Sequence, residues 1–237
     1  MVRFDLLSGR LYVEQSELRL TPLELRFVAF LGLDSSGASR EELADTFFAT
    51  SQDARNAIKV LVYRIREKVG RHSVIRYSDG RYALDHDPVA ELREIEREFL
   101  PSDGSTALDE ITRRRFASYL KRLRARNREA LLDQPWFDRV EWRLRQLEHG
   151  LCIHLSRDAL SRADGRGALE NISGLIDSAA LDEDAIEVYM RAQVILGNPS
   201  AALAQFERYA EALRSELDAK PSQALSRLAD TVKASLV

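Results

Sequence analysis

The residues best suited to bind a polyanion lie in the segment 51–82, which contains eight basic side chains and three acidic ones. The complete chain, by contrast, has a formal net charge of −3 at pH 7. A locally cationic surface on an acidic protein favours binding to phosphates, because their neutralisation releases condensed counterions. The basic residues of the segment are Arg55, Lys59, Arg64, Arg66, Lys68, Arg71, Arg76 and Arg81.

Helical periodicity separates the first part of this segment into two faces. At about 100° per residue, its apolar side chains fall on one stripe, which predicts the buried side of an amphipathic helix. That stripe consists of Ile58, Leu61, Val62, Ile65 and Val69. The opposite face carries Asn56, Lys59, Val60, Tyr63 and Arg64, with Arg55, Arg66 and Lys68 at its edges.

Base recognition is the chemistry that such a face could perform, since an α-helix fits the major groove of duplex DNA. Asn56 can pair bidentately with adenine, while Lys59 and Arg64 can reach guanine acceptors or phosphates. Val60 is an oddly exposed apolar residue that could contact a thymine methyl group. The edge positions suit phosphate contacts that fix the register; they are Arg55, Arg66 and Lys68.

Two helices are predicted before this basic one. Thr21-Pro-Leu-Glu starts the first, because Thr is a preferred N-cap, Pro is favoured at the first helical position and Glu completes a capping box. Ser39 caps the second, short helix. The basic third helix is expected to begin near Thr50 or Ser51 and to end at Gly70, which favours a left-handed helix end.

A β-hairpin follows the third helix. Val74-Ile-Arg-Tyr and Arg81-Tyr-Ala-Leu flank Ser78-Asp-Gly, a sequence typical of a tight turn. This hairpin offers Arg76 and Arg81 to the adjacent minor groove or to the phosphates. Three helices followed by a hairpin predict a winged helix-turn-helix, to which short N-terminal strands add a small sheet. We assign this domain to residues 1–88.

Beyond Pro88 nearly the whole chain is predicted to be helical, so residues 89–237 form a second domain. A repeat with an offset of 34 residues, the length of a tetratricopeptide (TPR) helix pair, relates Ala168 to Ala202 and Ile172 to Phe206. The fold class is therefore mostly α with small β: an N-terminal winged helix-turn-helix and an all-α, TPR-like domain. Its main helices are predicted near 136–162, 166–178, 182–196, 199–217 and 221–235.

Two features of the second half leave alternatives open. The run Arg113–Leu132 contains eight basic residues and no acid before Glu129. It forms either a second phosphate-contacting surface or a helix paired with acids such as Glu91, Glu94, Glu96 and Glu98, and we favour the interpretation as an intramolecularly paired or solvated helix. Three aromatic residues are expected in a core between the domains, with a partner-binding patch as the alternative; they are Trp136, Phe137 and Trp142.

The sequence disfavours other classes of protein. The single cysteine, Cys152, excludes an intrachain disulfide and is expected to be buried. No phosphate-binding glycine loop, nucleophile motif or metal-ligand spacing is present, so we expect no enzymatic activity and no cofactor or metal. The acids 182–184 are interpreted as a helix N-terminus. No apolar run approaches the roughly 18 residues of a membrane span, and the N-terminus does not resemble a signal peptide, which favours a cytoplasmic protein.

Several motifs resemble a known family. Tyr63-Arg-Ile-Arg-Glu-Lys-Val-Gly is similar to the end of the recognition helix in OmpR-type winged-helix regulators, and Asp79-Gly-Arg-Tyr-Ala-Leu to their wing. Gly197-Asn-Pro-Ser-Ala-Ala-Leu-Ala-Gln-Phe-Glu-Arg-Tyr and Leu213-Arg-Ser-Glu-Leu-Asp-Ala-Lys-Pro-Ser resemble the bacterial transcriptional activation domain, a TPR-like module. Both modules in this order resemble the antibiotic-regulatory-protein (SARP) family of transcription activators.

This resemblance implies an activator that binds direct repeats in double-stranded DNA near promoters, often as side-by-side copies, and recruits RNA polymerase. The chain departs from the family at Ser78 and Arg81 of the wing, and at Asp218, where Gly is usual. The alternative function is a TPR-like adaptor for proteins, whose winged helix is only a docking module. The resemblance carries DNA contacts over to Asn56, Lys59, Val60, Tyr63, Arg64 and Arg66.

Overall fold

A computed structural model describes residues 2–70, 74–99, 107–125, 128–178 and 181–235. Packing divides the chain into two compact units: Met1–Pro101 with Lys121–Arg145, and Ser102–Leu120 with Gln146–Val237. The predicted fold class is confirmed, since the chain is mostly helical with small antiparallel sheets. The assignment of sequence modules to residues 1–88 and 89–237 stays a prediction. Arg71 and Arg126 lie outside the described residues.

The first unit contains two three-stranded antiparallel sheets and the helices of the predicted winged helix-turn-helix. In the first sheet the strand order is β1-β2-β3, and in the second it is β4-β6-β5. The elements up to residue 99 are β1 (Val2–Asp5), β2 (Arg10–Val13), β3 (Ser16–Leu18), α1 (Pro22–Leu31), β4 (Ala38–Ser39), α2 (Arg40–Phe47), α3 (Ala54–Val69), β5 (Ile75–Ser78), β6 (Arg81–Leu84) and α4 (Pro88–Phe99). They are followed by α5 (Glu110–Leu123), α6 (Glu129–Leu132) and α7 (Asp138–Ser161).

Side-chain caps set the helix starts. The predicted capping box at Thr21 and the predicted N-cap at Ser39 are both formed, and Glu42 completes a second capping box that was not predicted. The expected start of α3 near residue 50 was wrong, because the Asp53 carboxylate accepts a hydrogen bond from the Asn56 N–H at 3.1 Å and caps the helix there. Asp, like Ser and Thr, is a preferred N-cap. Gly70 ends α3, as predicted, but with φ +74° and ψ −134° it does not adopt the expected left-handed helical conformation.

The hairpin turn is built by two residues in the left-handed region, Asp79 with φ +52° and Gly80 with φ +80°. Positive φ at both central residues is typical of the type I′ turn that joins two-residue hairpins. The short strand β4 was not predicted. It pairs with β6 through Ala38 and Tyr82, and it requires Gly37, because a Cβ there would collide with the Tyr82 carbonyl oxygen.

An aromatic cluster forms part of the core of the first unit. Ring centroids of Phe30 and Trp136 are 5.2 Å apart, and those of Phe30 and Phe47 are 5.4 Å apart. Phe137 is fully buried beside Trp136. The prediction for Trp142 was wrong, since its side chain is 63% exposed. Val140 and Leu144 define the buried face of this part of α7, and position 142 falls on the opposite face.

The basic run near α5 is paired within each unit, as the favoured interpretation predicted. In the first unit, Arg122 donates to the carboxylate of Asp5 at 2.7 and 3.0 Å and to that of Glu91 at 2.7 Å. Burial alone would raise the pKa of Asp5, but the hydrogen bonds and charge of Arg122, the Ser8 hydroxyl and the charge of Arg3 together outweigh it and lower the pKa. The helix α5 ends at Leu123.

The helices of the second unit follow the predicted pattern closely. Ala168 and Ala202, related by the 34-residue offset, are both fully buried at equivalent positions of consecutive helix pairs. Cys152 is buried, as expected. Among the described helices, none combines the length and apolar character needed to cross a bilayer. The remaining elements are α8 (Gly165–Ser178), α9 (Glu183–Ile195), α10 (Pro199–Leu217) and α11 (Gln223–Ala234).

Two acidic residues of the second unit shape helix ends. Asp182 caps α9 by accepting from the Ala185 N–H at 3.1 Å, so the interpretation of this acidic cluster as a helix N-terminus is confirmed. Asp218 ends α10 with φ +49° and ψ +38°. This is the left-handed conformation that the family's usual Gly adopts without steric cost, and Asp is one of the few other residues that tolerate it.

A buried carboxylate holds the start of the second unit in place. Asp158 is 1% exposed and accepts hydrogen bonds from the Leu108 N–H at 2.8 Å, from Arg113 Nε at 2.7 Å and from Arg162 at 2.9 Å. Burial alone would raise the pKa of Asp158, but these three donors outweigh it and lower the pKa. This one side chain of α7 therefore holds the segment 108–113 against the end of α7.

Candidate nucleic-acid interface

The two faces of α3 are oriented as the periodicity predicted. Ile58 and Ile65 are 1% and 0% exposed, whereas Tyr63 on the opposite face is 60% exposed. Val60 is 39% exposed, which confirms that an aliphatic side chain lies on the outer surface. The other members of this outer face are also exposed. They are Arg55, Asn56, Lys59 and Arg64.

The cations at the centre of this face have no competing partner. Within the described residues, neither Lys59 nor Arg64 forms an ion pair or a side-chain hydrogen bond. The Asn56 side chain is likewise not used in capping α3, because only its backbone N–H bonds to Asp53. Their charges and amide groups are therefore available to a ligand without breaking a contact.

Tyr63 and Glu67 form a pair on the same helix. The Tyr63 hydroxyl donates a hydrogen bond to a Glu67 carboxylate oxygen at 2.6 Å. This hydrogen bond, together with the negative charge of Glu67, raises the pKa of Tyr63. The pair fixes the direction of an exposed aromatic ring and places one carboxylate beside the cationic face.

Two predicted edge cations of α3 are held inside the first unit. Arg66 donates to the carbonyl oxygen of Ile75 at 2.7 Å. The Lys68 ammonium lies 2.6 Å from Glu24, whose side chain is only 4% exposed. Burial alone would raise the pKa of Glu24, but hydrogen bonds from Lys68 and Thr21 outweigh it and lower the pKa. The sequence indicated that both cations were phosphate contacts and did not reveal these partners.

The wing cations also have partners on the protein. Arg81 donates to the carbonyl oxygen of Gly37 at 2.6 Å and to that of Ser36 at 3.2 Å, and it pairs with Glu42 at 3.3 Å. Arg76 makes one longer bond, at 3.2 Å, to the carbonyl oxygen of Ser35. The loop before α2 therefore binds both wing arginines.

The sequence did not indicate that Arg40 contacts the wing. Its guanidinium carbon lies 4.7 Å above the ring of Tyr77, and the ring of Tyr77 packs on that of Tyr82 at 4.6 Å. A cation over the face of an aromatic ring is attracted electrostatically by the ring. The position of Arg40 directly after the N-cap Ser39 does not predict this contact, because the contact depends on the pairing of β4 with the hairpin.

A winged helix-turn-helix with an exposed cationic helix, joined in one chain to a TPR-like helical array, defines a two-module regulator. The family model described as "Bacterial transcriptional activator domain" matches residues 109–233. The chain belongs to this family. The resemblance to SARP-type transcriptional activators is thereby confirmed, and the protein is a SARP-type transcriptional regulator.

A solved structure has the same fold. The chain is similar to Mycobacterium tuberculosis EmbR, described in complex with a low-affinity phosphopeptide, with 16% identity and a TM-score of 0.65. The match covers 99% of this chain and 65% of the EmbR chain, so this chain spans less than two thirds of EmbR. At this identity the likeness shows the fold alone. No curated protein matches the chain in sequence.

Proposed function

We propose that this regulator binds double-stranded DNA in a sequence-specific manner by inserting α3 into the major groove. The observation that carries the proposal is the outer face of α3, where Lys59 and Arg64 are exposed and have no partner among the described residues. The opposite face is buried, so the helix has a defined side to present. A helix of this kind fits the width of the groove.

Each outer side chain has a role that follows from its chemistry. The Asn56 amide suits adenine, and Val60 suits a thymine methyl group. Lys59 and Arg64 suit guanine acceptors or phosphates, and Arg55 lies in the first turn, where it suits a phosphate. Good bidentate base contacts contribute about 1–3 kcal/mol of discrimination each.

The family supports two further elements of the proposal. The regulator acts as an activator at direct repeats near promoters, with one winged helix per half-site. Copies that bind neighbouring repeats in the same orientation would meet through unlike surfaces, as heterologous contacts require. The second unit, with its TPR-like helix pairs, would then contact RNA polymerase or the neighbouring copy.

Selection from a random DNA pool with the purified full chain tests this function. We expect a defined motif to be enriched and to be protected in a footprinting experiment. The logarithm of the affinity for that duplex should fall linearly with the logarithm of the salt concentration. Absence of protection at low salt in the presence of competitor DNA would contradict the proposal. In that case the adaptor hypothesis, in which the winged helix only docks to protein, would be retained.

Glu67→Gln is expected to strengthen binding to the selected duplex by a factor of about three to ten, because it removes a negative charge beside the phosphates. Glutamine can still accept the Tyr63 hydroxyl, so the ring keeps its direction. Anisotropy titration of the labelled duplex measures the change. The matched control is Glu94→Gln on the exposed side of α4, for which we expect little effect. Weaker binding by Glu67→Gln would contradict this prediction and indicate that the carboxylate accepts from a cytosine amine.

A further inference from the structure

We propose that Arg66, Lys68 and Arg81 are positioning residues, which hold the recognition helix α3 and the wing to each other and to the rest of the first unit, and that they are not phosphate ligands. The inference rests on the proposed function, because it concerns how α3 and the wing are presented to DNA. The predicted cations then fall into two sets: one contacts the nucleic acid, and the other orients the elements that carry those contacts.

Arg66 connects α3 to the wing. Its guanidinium donates to the carbonyl oxygen of Ile75, the first residue of β5, at 2.7 Å, and Ile75 is fully buried. A backbone carbonyl at the edge of the core is a fixed acceptor, so this bond holds the first strand of the hairpin at a set distance from the helix. Because Ile75 is buried, its carbonyl oxygen cannot be reached by competing donors from solvent as a surface carboxylate could.

Arg81 connects the second wing strand to the loop before α2. Two of its N–H groups are directed at the carbonyl oxygens of Gly37 and Ser36. The loop itself cannot shift easily, because a Gly37 backbone with φ +73° packs directly against Tyr82 of β6. Nε and Nη2 of Arg81, one of the donor pairs that a guanidinium directs at a phosphate, are therefore already used by the protein backbone.

Lys68 connects the end of α3 to the start of α1. Glu24 accepts from the Lys68 ammonium at 2.6 Å and from the Thr21 N–H at 2.7 Å. Transfer of Lys68 to a phosphate would leave a buried carboxylate without its cation. Breaking a buried pair in this way is far more costly than a solvent-exposed phosphate contact is favourable. The ammonium is therefore expected to remain with Glu24 in the complex.

The remaining cations differ from these three. Lys59 and Arg64 have no side-chain partner among the described residues. Within the described residues Arg76 is exposed and makes a single bond of 3.2 Å, so it can leave the Ser35 carbonyl at little cost. The contact set is thus formed by Arg55, Lys59 and Arg64, with Arg76 from the wing.

Salt dependence separates the two roles. Each phosphate that a cation neutralises adds about 0.9 to the slope of log affinity against log salt concentration, whereas a residue that only orients others adds nothing. A loss of affinity without a change of slope is therefore the signature of positioning. A merely structural residue would instead lower the stability of the free protein and leave the discrimination between sequences intact in the folded fraction.

The test compares Arg66→Lys with Arg66→Met in the full chain, using the duplex enriched from the random pool and a scrambled duplex. Lysine keeps a terminal N–H donor of similar reach for the Ile75 carbonyl, so we expect near-normal affinity and an unchanged slope. Methionine keeps only the length of the side chain. We expect it to weaken selected-duplex binding about tenfold, with an unchanged slope and reduced discrimination against the scrambled duplex. Lys59→Gln and Lys59→Met are the matched controls, and both should lower the slope by about 0.9.

A slope that falls by about 0.9 in Arg66→Met would overturn the positioning role and make Arg66 a phosphate ligand. Amide hydrogen exchange of β5 and β6 in the free protein is the second measurement. Faster exchange in Arg66→Met than in Arg66→Lys supports the inference, and equal protection in both overturns it. If the wild-type chain enriches no sequence at all, the proposed function fails, while the exchange measurement still decides whether Arg66 orients the wing.

Discussion

Replacement of Lys59 and Arg64 by glutamate is expected to weaken binding of the selected duplex by roughly a thousandfold or more, because each lost contact is worth about 1–3 kcal/mol and each new carboxylate repels the phosphates. Anisotropy titration at fixed salt measures this loss. Both side chains are exposed and have no partner among the described residues, so the fold should be unaffected.

The matched control carries the same change of charge on the second unit. Lys220→Glu with Arg227→Glu alters two exposed residues near and within α11. We expect this variant to bind the duplex with close to normal affinity. If the Lys59/Arg64 double variant and this control bound the duplex with equal affinity, the proposed role of α3 in DNA recognition would be contradicted. An adaptor protein should keep its activity in both variants, whereas a DNA-reading regulator should lose it only in the first.

Asp158→Ala is expected to lower the free energy of unfolding of the second unit by about 3 kcal/mol, because it leaves Arg113 and the Leu108 N–H without their buried acceptor. Urea denaturation followed by circular dichroism measures the change. The exposed Asp230 of α11 provides the control, since Asp230→Ala should change the free energy by less than about 0.5 kcal/mol. Equal effects of the two substitutions would contradict the role assigned to Asp158.

The pH dependence of this effect has a definite sign. The pKa of Asp158 in the folded protein is lower than its ordinary value, so the ionised carboxylate stabilises the fold fully above the pKa of the unfolded chain, about 3.9. That contribution is lost as the pH falls through the lowered pKa of the folded state. The difference between wild type and Asp158→Ala should therefore be largest near neutral pH and should shrink in acid.

Local and periodic features were predictable from the sequence. The capping box at Thr21, the N-cap at Ser39, the end of α3 at Gly70 and the equivalence of Ala168 with Ala202 are confirmed, because each depends on residues close in sequence or on a regular repeat. The cationic outer face of α3 was predictable for the same reason. Helical periodicity alone decides which side chains face away from the core.

Partners distant in sequence were not predictable. Lys68 and Glu24 are 44 positions apart, and Arg122 and Asp5 are 117 positions apart. A charged side chain at a helix edge has the same local pattern whether it faces solvent or a buried acid. The start of α3 was misplaced because Thr50, Ser51 and Asp53 are all preferred N-caps, so residue type alone did not select Asp53. The prediction that Trp142 is buried was wrong because it relied on the size of the side chain, whereas position 142 lies on the exposed face of α7.

The reliance of the first unit on residues 121–145 limits how the protein can be dissected. A fragment that stops at residue 88 or 99 would leave the Asp5 carboxylate without Arg122, and the rings of Phe30 and Phe47 without Trp136. Such a fragment would expose apolar surface and a stranded buried charge, which promote aggregation. Recombinant work on the winged helix should therefore keep the chain intact through Arg145, or graft the later segment back by a designed linker.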